Sequence, residues 1–208
     1  LGYPTQKPVT LLKRILLASS NEGDVILDPF SGCGTAIAAA EELHRQWIGI
    51  DITHLAIAMH KVRLAGNFHL EPKKDYDIVG EPADLADAYK LASDDRFQFQ
   101  WWALSLLNAR PIGSDGGREG KKGSDKGVDG IITFKEDAHK VGRIIVQVKS
   151  GKVNSSHIRD LCGTLEREKA EMALFVTLEP PTADMRHEAS VAGIYNMERF
   201  NFSFPKVQ

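Results

Sequence analysis

One stretch near the start of the chain constrains the fold more than any other: "GDVILDPFSGCGTAIAAAEELHRQWIGID". The apolar run Val25–Leu27 has the length of a short strand, and the glycine loop Ser31–Gly34 follows it. The alanine-rich segment Thr35–Leu43 predicts a helix, and Trp47–Ile50 predicts a second strand that ends in Asp51. Strand, loop, helix and strand in this order indicate an α/β unit.

The spacing of Gly32 and Asp51, nineteen positions apart, suits a nucleoside cofactor. Glycines let the backbone approach a ligand, and a carboxylate at the end of the second strand can accept hydrogen bonds from ribose hydroxyls. The dinucleotide fingerprint lacks its third glycine because Ile37 stands in that place, which disfavours NAD. The alternative interpretation is a tight turn that holds no ligand.

Three segments of the first half, "YPTQKPVTLLKRIL", "DPFSGCGT" and "WIGIDI", resemble one enzyme family. They look like the C-terminal part of the amino-methyltransferases that methylate adenine N6 or cytosine N4 in DNA, over roughly residues 3–66. The resemblance implies S-adenosylmethionine as cofactor, with Thr5 and Lys7 near its methionine end and Asp51 at its ribose. The residues that the resemblance places along the loop are Asp28, Phe30, Gly32 and Gly34.

The family's catalytic tetrapeptide, Asp or Asn followed by Pro-Pro and an aromatic residue, occurs nowhere in this chain. In family members with this motif order it lies upstream of the Thr-Gln-Lys-Pro segment. The chain also starts at Leu1 without Met, so we expect an N-terminal truncation. Without the tetrapeptide, such a fragment would bind cofactor at most and would not methylate. A cofactor site that lacks half its walls also binds poorly, because less of the ligand is desolvated.

The second half contains the strand-like stretch "RIIVQVKSG", Arg143–Gly151. Side chains alternate faces along a strand, so Gln147 and Lys149 share one face. An edge strand with one solvated face would explain this pattern. The alternative interpretation, a functional site on this face, needs a third polar partner. The stretch "GVDGIITF" supplies it, because a hairpin of the two strands would bring Asp129 within reach of Gln147 and Lys149.

An Asp followed eighteen residues later by Gln-x-Lys resembles the site of the PD-(D/E)xK nucleases, most closely the Mrr-like branch, over about residues 94–208. The resemblance implies a Mg²⁺-dependent DNA endonuclease. Asp129, the Gln147 amide oxygen and the Val148 backbone carbonyl would hold Mg²⁺. Lys149 would orient or help deprotonate the attacking water. The neutral Gln147 lowers the charge of such a site, so we expect weaker metal binding.

Basic residues that could contact a phosphate backbone lie on both sides of this strand pair. Six glycines and several basic residues occupy residues 111–127, which indicates either a surface loop or an arm that orders on DNA. Arg159 lies on the outer face of a predicted helix, where mixed charge is usually plain solvation. The predicted DNA contacts are Arg118, Lys121, Lys122, Lys126 and Arg159.

The remaining elements follow from periodicity and capping signals. Residues 9–19 predict a helix, and Thr53 predicts the N-terminus of another. The stretch "RFQFQWWALSLLNA" predicts a helix, and "MALFVT" predicts a central strand. The specific positions expected in the second half are a buried stripe of Phe97, Trp101, Leu104 and Leu107, and N-caps at Ser155 or Ser156 and at Thr182.

Composition sets the outer bounds. The chain has 208 residues, a net charge of −2 and two distant cysteines, Cys33 and Cys162, without metal-binding spacing. We therefore expect a reducing, cytoplasmic setting, and binding of double-stranded DNA through local basic patches alone. No apolar run has transmembrane length, so no membrane association is expected. Double-strand cutting by a single-site nuclease would favour a homodimer.

Together these observations predict an α/β chain. Residues 1–68 are expected to form a partial Rossmann-like, S-adenosylmethionine-dependent methyltransferase half-domain, residues 69–93 a linker with a short helix, and residues 94–208 a nuclease-like α/β domain with a mixed sheet. The predicted function is that of a fragment of a bifunctional restriction-modification protein. A DNA-binding or regulatory module that no longer cleaves is one competing hypothesis, and a repair or junction-resolving enzyme is another.

Overall fold

The computed structural model describes residues 6–112, 127–136, 140–197 and 200–208. The chain forms two compact units, the first ending at Glu81 and the second beginning at Pro82. Compactness alone does not define functional domains, so the boundaries expected at residues 68 and 93 stay a prediction.

The first unit contains one helix followed by a strand–helix–strand–helix arrangement. Its elements are α1 Val9–Ser19, β1 Val25–Asp28, α2 Thr35–Glu42, β2 Gln46–Gly49 and α3 His54–Phe68. β1 and β2 run parallel, with Leu27 opposite Ile48. α1 packs on α2, where Leu16 is buried with Ala39 and Ala40. The predicted order of strand, loop, helix and strand is confirmed, with the second strand beginning and ending one residue earlier than expected.

The second unit is built on a mixed sheet. Its elements are α4 Leu85–Asp94, α5 Arg96–Leu106, β3 Arg110–Pro111, β4 Gly130–Lys135, β5 Val141–Lys149, α6 Ser155–Glu168, β6 Met172–Thr177, α7 Ala183–Val191, β7 Ile194–Met197 and β8 Phe202–Pro205. The sheet order is β3-β4-β5-β6, and β7 and β8 form a separate antiparallel pair. β4 and β5 pair antiparallel, whereas β5 and β6 run parallel. The predictions of an α/β fold class, a mixed sheet and a β4–β5 hairpin are confirmed.

β5 separates the two hydrophobic cores of the second unit. Val146 and Val148 are buried in one core together with Phe99 and Leu104 of α5. Ile145 points the other way, into a core with α6 and α7 whose buried members include Ile158, Leu161, Leu165 and Met185. The alternation of faces therefore places Gln147, which follows Val146, on the side of α6.

Three local expectations are corrected. The buried stripe of α5 is Phe99, Ala103 and Leu104, whereas Phe97 is exposed beneath the Arg96 guanidinium. Asn154, rather than either serine after it, caps α6, because its side chain accepts a hydrogen bond from the Ser156 N–H group. The strand Met172–Thr177, which was expected to be central, is β6, the last strand of the four-stranded sheet. The backbone groups of Lys206 and Gln208 form hydrogen bonds along its outer side. The predicted cap at Thr182 is confirmed.

Candidate functional site

The glycine loop lies at the carboxyl ends of β1 and β2 and is hydrogen-bonded to the end of β2. The Gly32 N–H group donates to Asp51 Oδ2 over 2.9 Å. The N–H and hydroxyl groups of Ser31 both donate to the carbonyl oxygen of Ile50, over 2.9 and 3.1 Å. The carboxyl ends of parallel strands are where α/β sheets bind ligands. The glycine loop is therefore held against the end of β2, at the end of the strand pair where α/β folds bind ligands.

Asp51 connects this loop to the start of α3. Its Oδ1 atom accepts hydrogen bonds from the N–H group of Thr53, over 3.0 Å, and from the Thr53 hydroxyl, over 2.9 Å. Thr53 in turn caps α3 by accepting from the Ala56 N–H group, as predicted. A carboxylate offers about four lone-pair sites. The three bonds to Gly32 and Thr53 leave Asp51 capacity for one further donor.

His60 of α3 fills the space beneath the loop, and sequence reasoning missed it. A Cβ atom placed on Gly34 would lie 2.7 Å from His60 Cδ2, and one on Gly49 would lie 3.3 Å from His60 Cε1. His60 Nε2 lies 3.0 Å from the Gly32 carbonyl oxygen, so Nε2 carries the proton in this contact. Burial is the main cause that lowers the pKa of His60, so the neutral ring is favoured. A side chain at Gly34 would thus clash with the imidazole, independently of any ligand, whereas a side chain at Gly49 would first meet Ile37, at 3.1 Å.

Arg63, one turn further along α3, is a buried cation next to the same loop. Its Nη2 atom donates to Cys33 Sγ over 3.6 Å. Its Nε atom is buried and has no hydrogen-bond partner in the part of the chain that the structure describes. The Cys33 thiol is itself buried and lies 3.3 Å from the Thr35 hydroxyl. This cysteine therefore belongs to the packing under the loop.

The other predicted cofactor residues have different positions relative to the glycine loop. Asp28 accepts a hydrogen bond from the Phe30 N–H group over 3.2 Å, which shapes the first turn of the loop. Phe30 projects outward with 89% of its surface exposed. Lys7 lies exposed just before α1, and Thr5 is outside the described residues. The structure thus brings Asp28, Gly32, Gly34 and Asp51 to one edge of the strand pair, and their binding role stays a prediction.

A cleft of about 540 Å³ lies beside β2 and the start of α3. Asp51 and Thr53 line it on one side, and residues 76–81 line it on the other. Lys61 and Glu81 form an ion pair in its wall with an N–O distance of 2.6 Å. The Tyr76 ring packs on Trp47, and burial raises the pKa of Tyr76 to about 12. The volume of the cleft lies in the range of small-molecule sites. Asp51, which also accepts the Gly32 N–H group, lines the cleft, whereas residues 31–34 of the glycine loop do not.

The second candidate site lies where the β4–β5 hairpin opens. The Asp129 N–H group donates to the Val146 carbonyl oxygen over 2.8 Å, and Asp129 Oδ2 accepts from the Val148 N–H group over 2.7 Å. Gln147 Nε2 donates to the Gly127 carbonyl oxygen over 3.2 Å. The hairpin therefore brings Asp129 beside Gln147 and Val148, and Lys149 follows at the half-buried end of β5.

The Gln147 amide oxygen is buried beside Asp129 and Val148. Its side chain is 8% exposed, and Oε1 is buried without a hydrogen-bond partner among the described residues. The amide cannot be turned over, because that would place two acceptors, Oε1 and the Gly127 carbonyl oxygen, against each other. The same described residues contain no group of three or more His, Cys, Asp or Glu able to hold a metal. Among the described residues, the Asp129 carboxylate is the acidic ligand that a metal here would take, together with amide and backbone oxygens.

The predicted DNA contacts are mostly beyond what the structure describes. Arg118, Lys121, Lys122 and Lys126 all lie in residues 113–126, outside the described ranges. Arg159 is described and exposed on α6, where it pairs with Glu188 of α7 over 2.7 Å. An exposed ion pair of this kind contributes little to stability and exchanges easily with another anion. The phosphate role of Arg159 stays a prediction.

Comparison with known families follows the division into two units. Residues 1–61 match the family described as DNA methylase. Residues 115–203 match the family described as NACHT-associated inactive Restriction Endonuclease 1. The methylase-like region is thus the N-terminal region of this chain. That it corresponds to the C-terminal part of a methyltransferase is a proposal, and so is an active Mrr-like nuclease in the second unit.

Individual relatives are DNA methyltransferases. The chain is 47% identical over 108 residues to the type II methyltransferase M.HpaI of Haemophilus parainfluenzae, covering 52% of this chain and 34% of the relative. It is 45% identical over 72 residues to the DNA adenine methyltransferase YhdJ of Escherichia coli K12, covering 34% and 24%. It is 52% identical over 62 residues to the type II methyltransferase M2.DpnII of Streptococcus pneumoniae, covering 30% and 23%. The chain spans about a third or less of these relatives.

Among the described helices, none has the length and apolar character needed to cross a bilayer. The cytoplasmic location and the homodimer stay predictions.

Proposed function

We propose that the first unit is the cofactor-binding, C-terminal part of a DNA amino-methyltransferase that uses S-adenosylmethionine. The observation that carries the proposal is the hydrogen bond from Gly32 N–H to Asp51, which fixes the glycine loop against the end of β2. The match of residues 1–61 to a DNA methylase family supports it. The substrate is then DNA, with either adenine N6 or cytosine N4 as the methyl acceptor.

In this proposal each part of the loop has a separate task. S-adenosylmethionine, when bound, supplies the activated methyl group. Asp51 uses its remaining acceptor capacity for a ribose hydroxyl, while Gly32 and Gly34 allow close approach of the backbone. Thr5 and Lys7 lie toward the methionine end, with Asp28 and Phe30 along the loop. This chain lacks the catalytic tetrapeptide, so methyl transfer needs a segment that supplies it.

Calorimetric titration of S-adenosylmethionine into the chain and an Asp51→Asn variant tests this role. Asparagine keeps the shape of the side chain but loses the charge, so we expect at least about tenfold weaker binding. Asp24→Asn, a change in an exposed turn before β1, is the matched control and should bind like the wild type. Absence of binding to the wild type, or equal binding to wild type and Asp51→Asn, would contradict the proposal.

A second candidate function concerns the hairpin of the second unit, which we propose to cleave DNA with Mg²⁺. The specific observation in its favour is the unpartnered Gln147 Oε1 beside Asp129. Asp129, Gln147 and the Val148 carbonyl would hold the metal, and Lys149 would orient the attacking water. The competing function is a DNA-binding module without cleavage, and the family match to an inactive restriction endonuclease favours neither.

Nicking of plasmid DNA separates these two possibilities. The wild type, Lys149→Ala and Lys152→Ala would each be incubated with and without Mg²⁺. Lys152 is exposed just beyond β5 and is the matched control for loss of a lysine. Metal-dependent cutting lost in Lys149→Ala but retained in Lys152→Ala supports the nuclease. DNA binding without any cutting by all three proteins supports the non-cleaving module.

Fusion of the two units would give a restriction-modification protein whose cleavage depends on the methylation state of the DNA. Parallel digestion of methylated and unmethylated substrates tests this dependence. Equal cutting of both substrates would refute it.

A further inference from the structure

Residues 76–81, here called the second wall, line the cleft of the first unit together with Asp51. The second wall follows α3 and lies beyond residues 1–61, the range that matches the DNA methylase family. In the part of the chain that the structure describes, no backbone hydrogen bond joins residues 77–80 to β2 or α3. Val79, in the middle of the wall, is 95% exposed. Side-chain contacts at its two ends fix the wall in place.

Each end of the second wall is attached to a different element. At the first end, the Tyr76 ring packs on Trp47 of β2 with 5.7 Å between the ring centroids. At the other end, Glu81 pairs with Lys61 of α3. Lys61 Nζ donates to both carboxylate oxygens of Glu81, over 2.6 and 2.8 Å. The second wall therefore runs from β2 to α3, and one ion pair fixes its C-terminal end.

The Lys61–Glu81 pair differs from an ordinary surface ion pair. Both of its side chains are 18% exposed, whereas those of the nearby pair Lys74–Glu71 are 69% and 68% exposed and its N–O distance is 3.6 Å. Charges that are largely removed from water are screened less by salt. Removal of one partner leaves the other as an uncompensated charge, which is strongly unfavourable. The wall thus depends on both members of this pair.

Lys61 also brings a positive charge to a cleft that several carboxylates line. Asp51 lies at the end of β2, and Asp77 and Glu81 belong to the second wall. Like charges around one cleft repel each other, and the repulsion grows where water is excluded. Without the charge of Lys61, the two acidic residues of the second wall would be repelled from Asp51. The wall would then move away from the cleft.

We infer that Lys61 and Glu81 are positioning residues that hold the second wall in place, and that affinity for S-adenosylmethionine depends on this ion pair. The inference rests on the proposed function of the first unit, in which Asp51 accepts from a ribose hydroxyl. Small-molecule sites bury most of the surface of their ligand. A cofactor bound at Asp51 loses contact area when the second wall moves away. Neither Lys61 nor Glu81 needs to touch the cofactor for this effect.

Calorimetric titration of S-adenosylmethionine into the chain and into Lys61→Gln and Glu81→Gln variants tests the inference. We expect each variant to bind at least about tenfold more weakly than the wild type, because each leaves one charge unpaired. The sign separates positioning from a direct effect of charge. S-adenosylmethionine carries a net positive charge, so a direct effect would strengthen binding in Lys61→Gln and weaken it in Glu81→Gln. Positioning weakens binding in both.

Two further variants serve as rescue and control. Lys61→Arg keeps the charge and can donate to both carboxylate oxygens of Glu81, so it should bind within about twofold of the wild type. Lys74→Gln is the matched control, because Lys74 also pairs with a glutamate but is exposed. An exposed pair contributes little, so Lys74→Gln should also bind within about twofold of the wild type.

Proteolysis without cofactor measures the position of the second wall independently. Chymotrypsin cleaves after aromatic residues, and it reaches the bond after Tyr76 when the wall opens. The rate of cleavage follows the population of the open form. Cleavage after Tyr76, identified by the mass of the fragments, should be at least about fivefold faster in Lys61→Gln and Glu81→Gln. In Lys61→Arg and Lys74→Gln it should proceed at the wild-type rate.

Weaker binding and faster cleavage in both glutamine variants, with rescue by Lys61→Arg, support the inference. Wild-type affinity in Lys61→Gln overturns it, and so does tighter binding in Lys61→Gln with weaker binding in Glu81→Gln. Absence of S-adenosylmethionine binding to the wild type contradicts the proposed function instead. In that case faster cleavage in both glutamine variants still supports the positioning role of the ion pair, and an unchanged rate overturns it.

Discussion

His60 Nε2 lies 3.0 Å from the carbonyl oxygen of Gly32. The glycine loop therefore packs on a buried imidazole from α3, a helix that follows the loop only after α2 and β2. The same ring occupies the space that a side chain at Gly34 would need, and Ile37 lies closest to where a side chain at Gly49 would be. The glycines that favour a cofactor site are therefore also packing residues. Their substitution has consequences for stability that are separate from any effect on cofactor binding.

Gly34→Ala should destabilise the chain strongly. Gly34 has a φ of 72°, in the left-handed region, and a Cβ atom there would lie 2.7 Å from His60. Backbone strain and the displaced ring together should lower the free energy of unfolding by about 2 kcal/mol or more. Gly66→Ala is the matched control, because Gly66 lies within α3 with open space around it. That change should raise stability by about 0.5 kcal/mol. Urea denaturation followed by circular dichroism measures both.

His60 should make stability depend on pH in one direction. Burial, the main cause, lowers its pKa in the folded state, with the charge of Arg63 acting in the same sense, whereas hydrogen bonding to Gly32 and the charge of Asp51 oppose the shift. The unfolded chain therefore binds the proton first as the pH falls below about 6.5. Stability due to His60 is fully present above that pH and is lost as the pH falls toward the folded-state value.

His60→Gln isolates this contribution. Glutamine can still donate to the Gly32 carbonyl oxygen but does not titrate. The difference in unfolding free energy between wild type and variant, measured from pH 8 to pH 5, should shrink or reverse as the pH falls. A difference that stays constant over this range would show that His60 does not carry the dependence.

The position of Asp51 at the end of the second strand could be predicted from the sequence, because it depends on the short-range order of strand, loop, helix and strand. The nineteen-residue spacing from Gly32 was interpreted as a nucleoside site, and the direct hydrogen bond between Gly32 and Asp51 was not part of that interpretation. His60 could not be predicted in the same way. A single histidine on an amphipathic helix gives no local signal, and its burial depends on how α3 packs against the loop.

The second unit shows the same limit. The hairpin that joins Asp129 to Gln147 followed from alternation and a turn, both of which are short-range features. The position of Phe99 inside and Phe97 outside depended on where α5 meets the sheet, and either residue fits a helical stripe. The predicted cap of α6 was one or two residues too late, because Asn154 and the two serines after it are all good N-cap residues.

Gln147→Glu should make the stability of the hairpin site depend more strongly on Mg²⁺. The added carboxylate would be buried beside Asp129, so in the absence of metal it should lower stability by about 1–3 kcal/mol. Mg²⁺ supplies the opposite charge and should restore much of this loss. Gln147→Met is the control, since it fills a similar volume without an oxygen. Thermal unfolding with and without Mg²⁺ measures the response, and a Glu variant indifferent to the metal would argue against this position as a ligand.

Asp129→Asn and Asp129→Ala should separate a structural role of this residue from a catalytic one. Asp129 Oδ2 accepts the Val148 N–H group over 2.7 Å, and an asparagine oxygen can accept the same bond. Alanine leaves that N–H group without its acceptor, so Asp129→Ala should lose about 1–3 kcal/mol of unfolding free energy while Asp129→Asn loses less. If Asp129 binds the metal, both variants should lose plasmid cleavage, because neither a neutral amide nor a methyl group replaces a carboxylate ligand. Urea denaturation and plasmid nicking, run on the same preparations, measure the two effects. Cleavage by Asp129→Asn at the wild-type rate would assign this residue to the strand ladder alone.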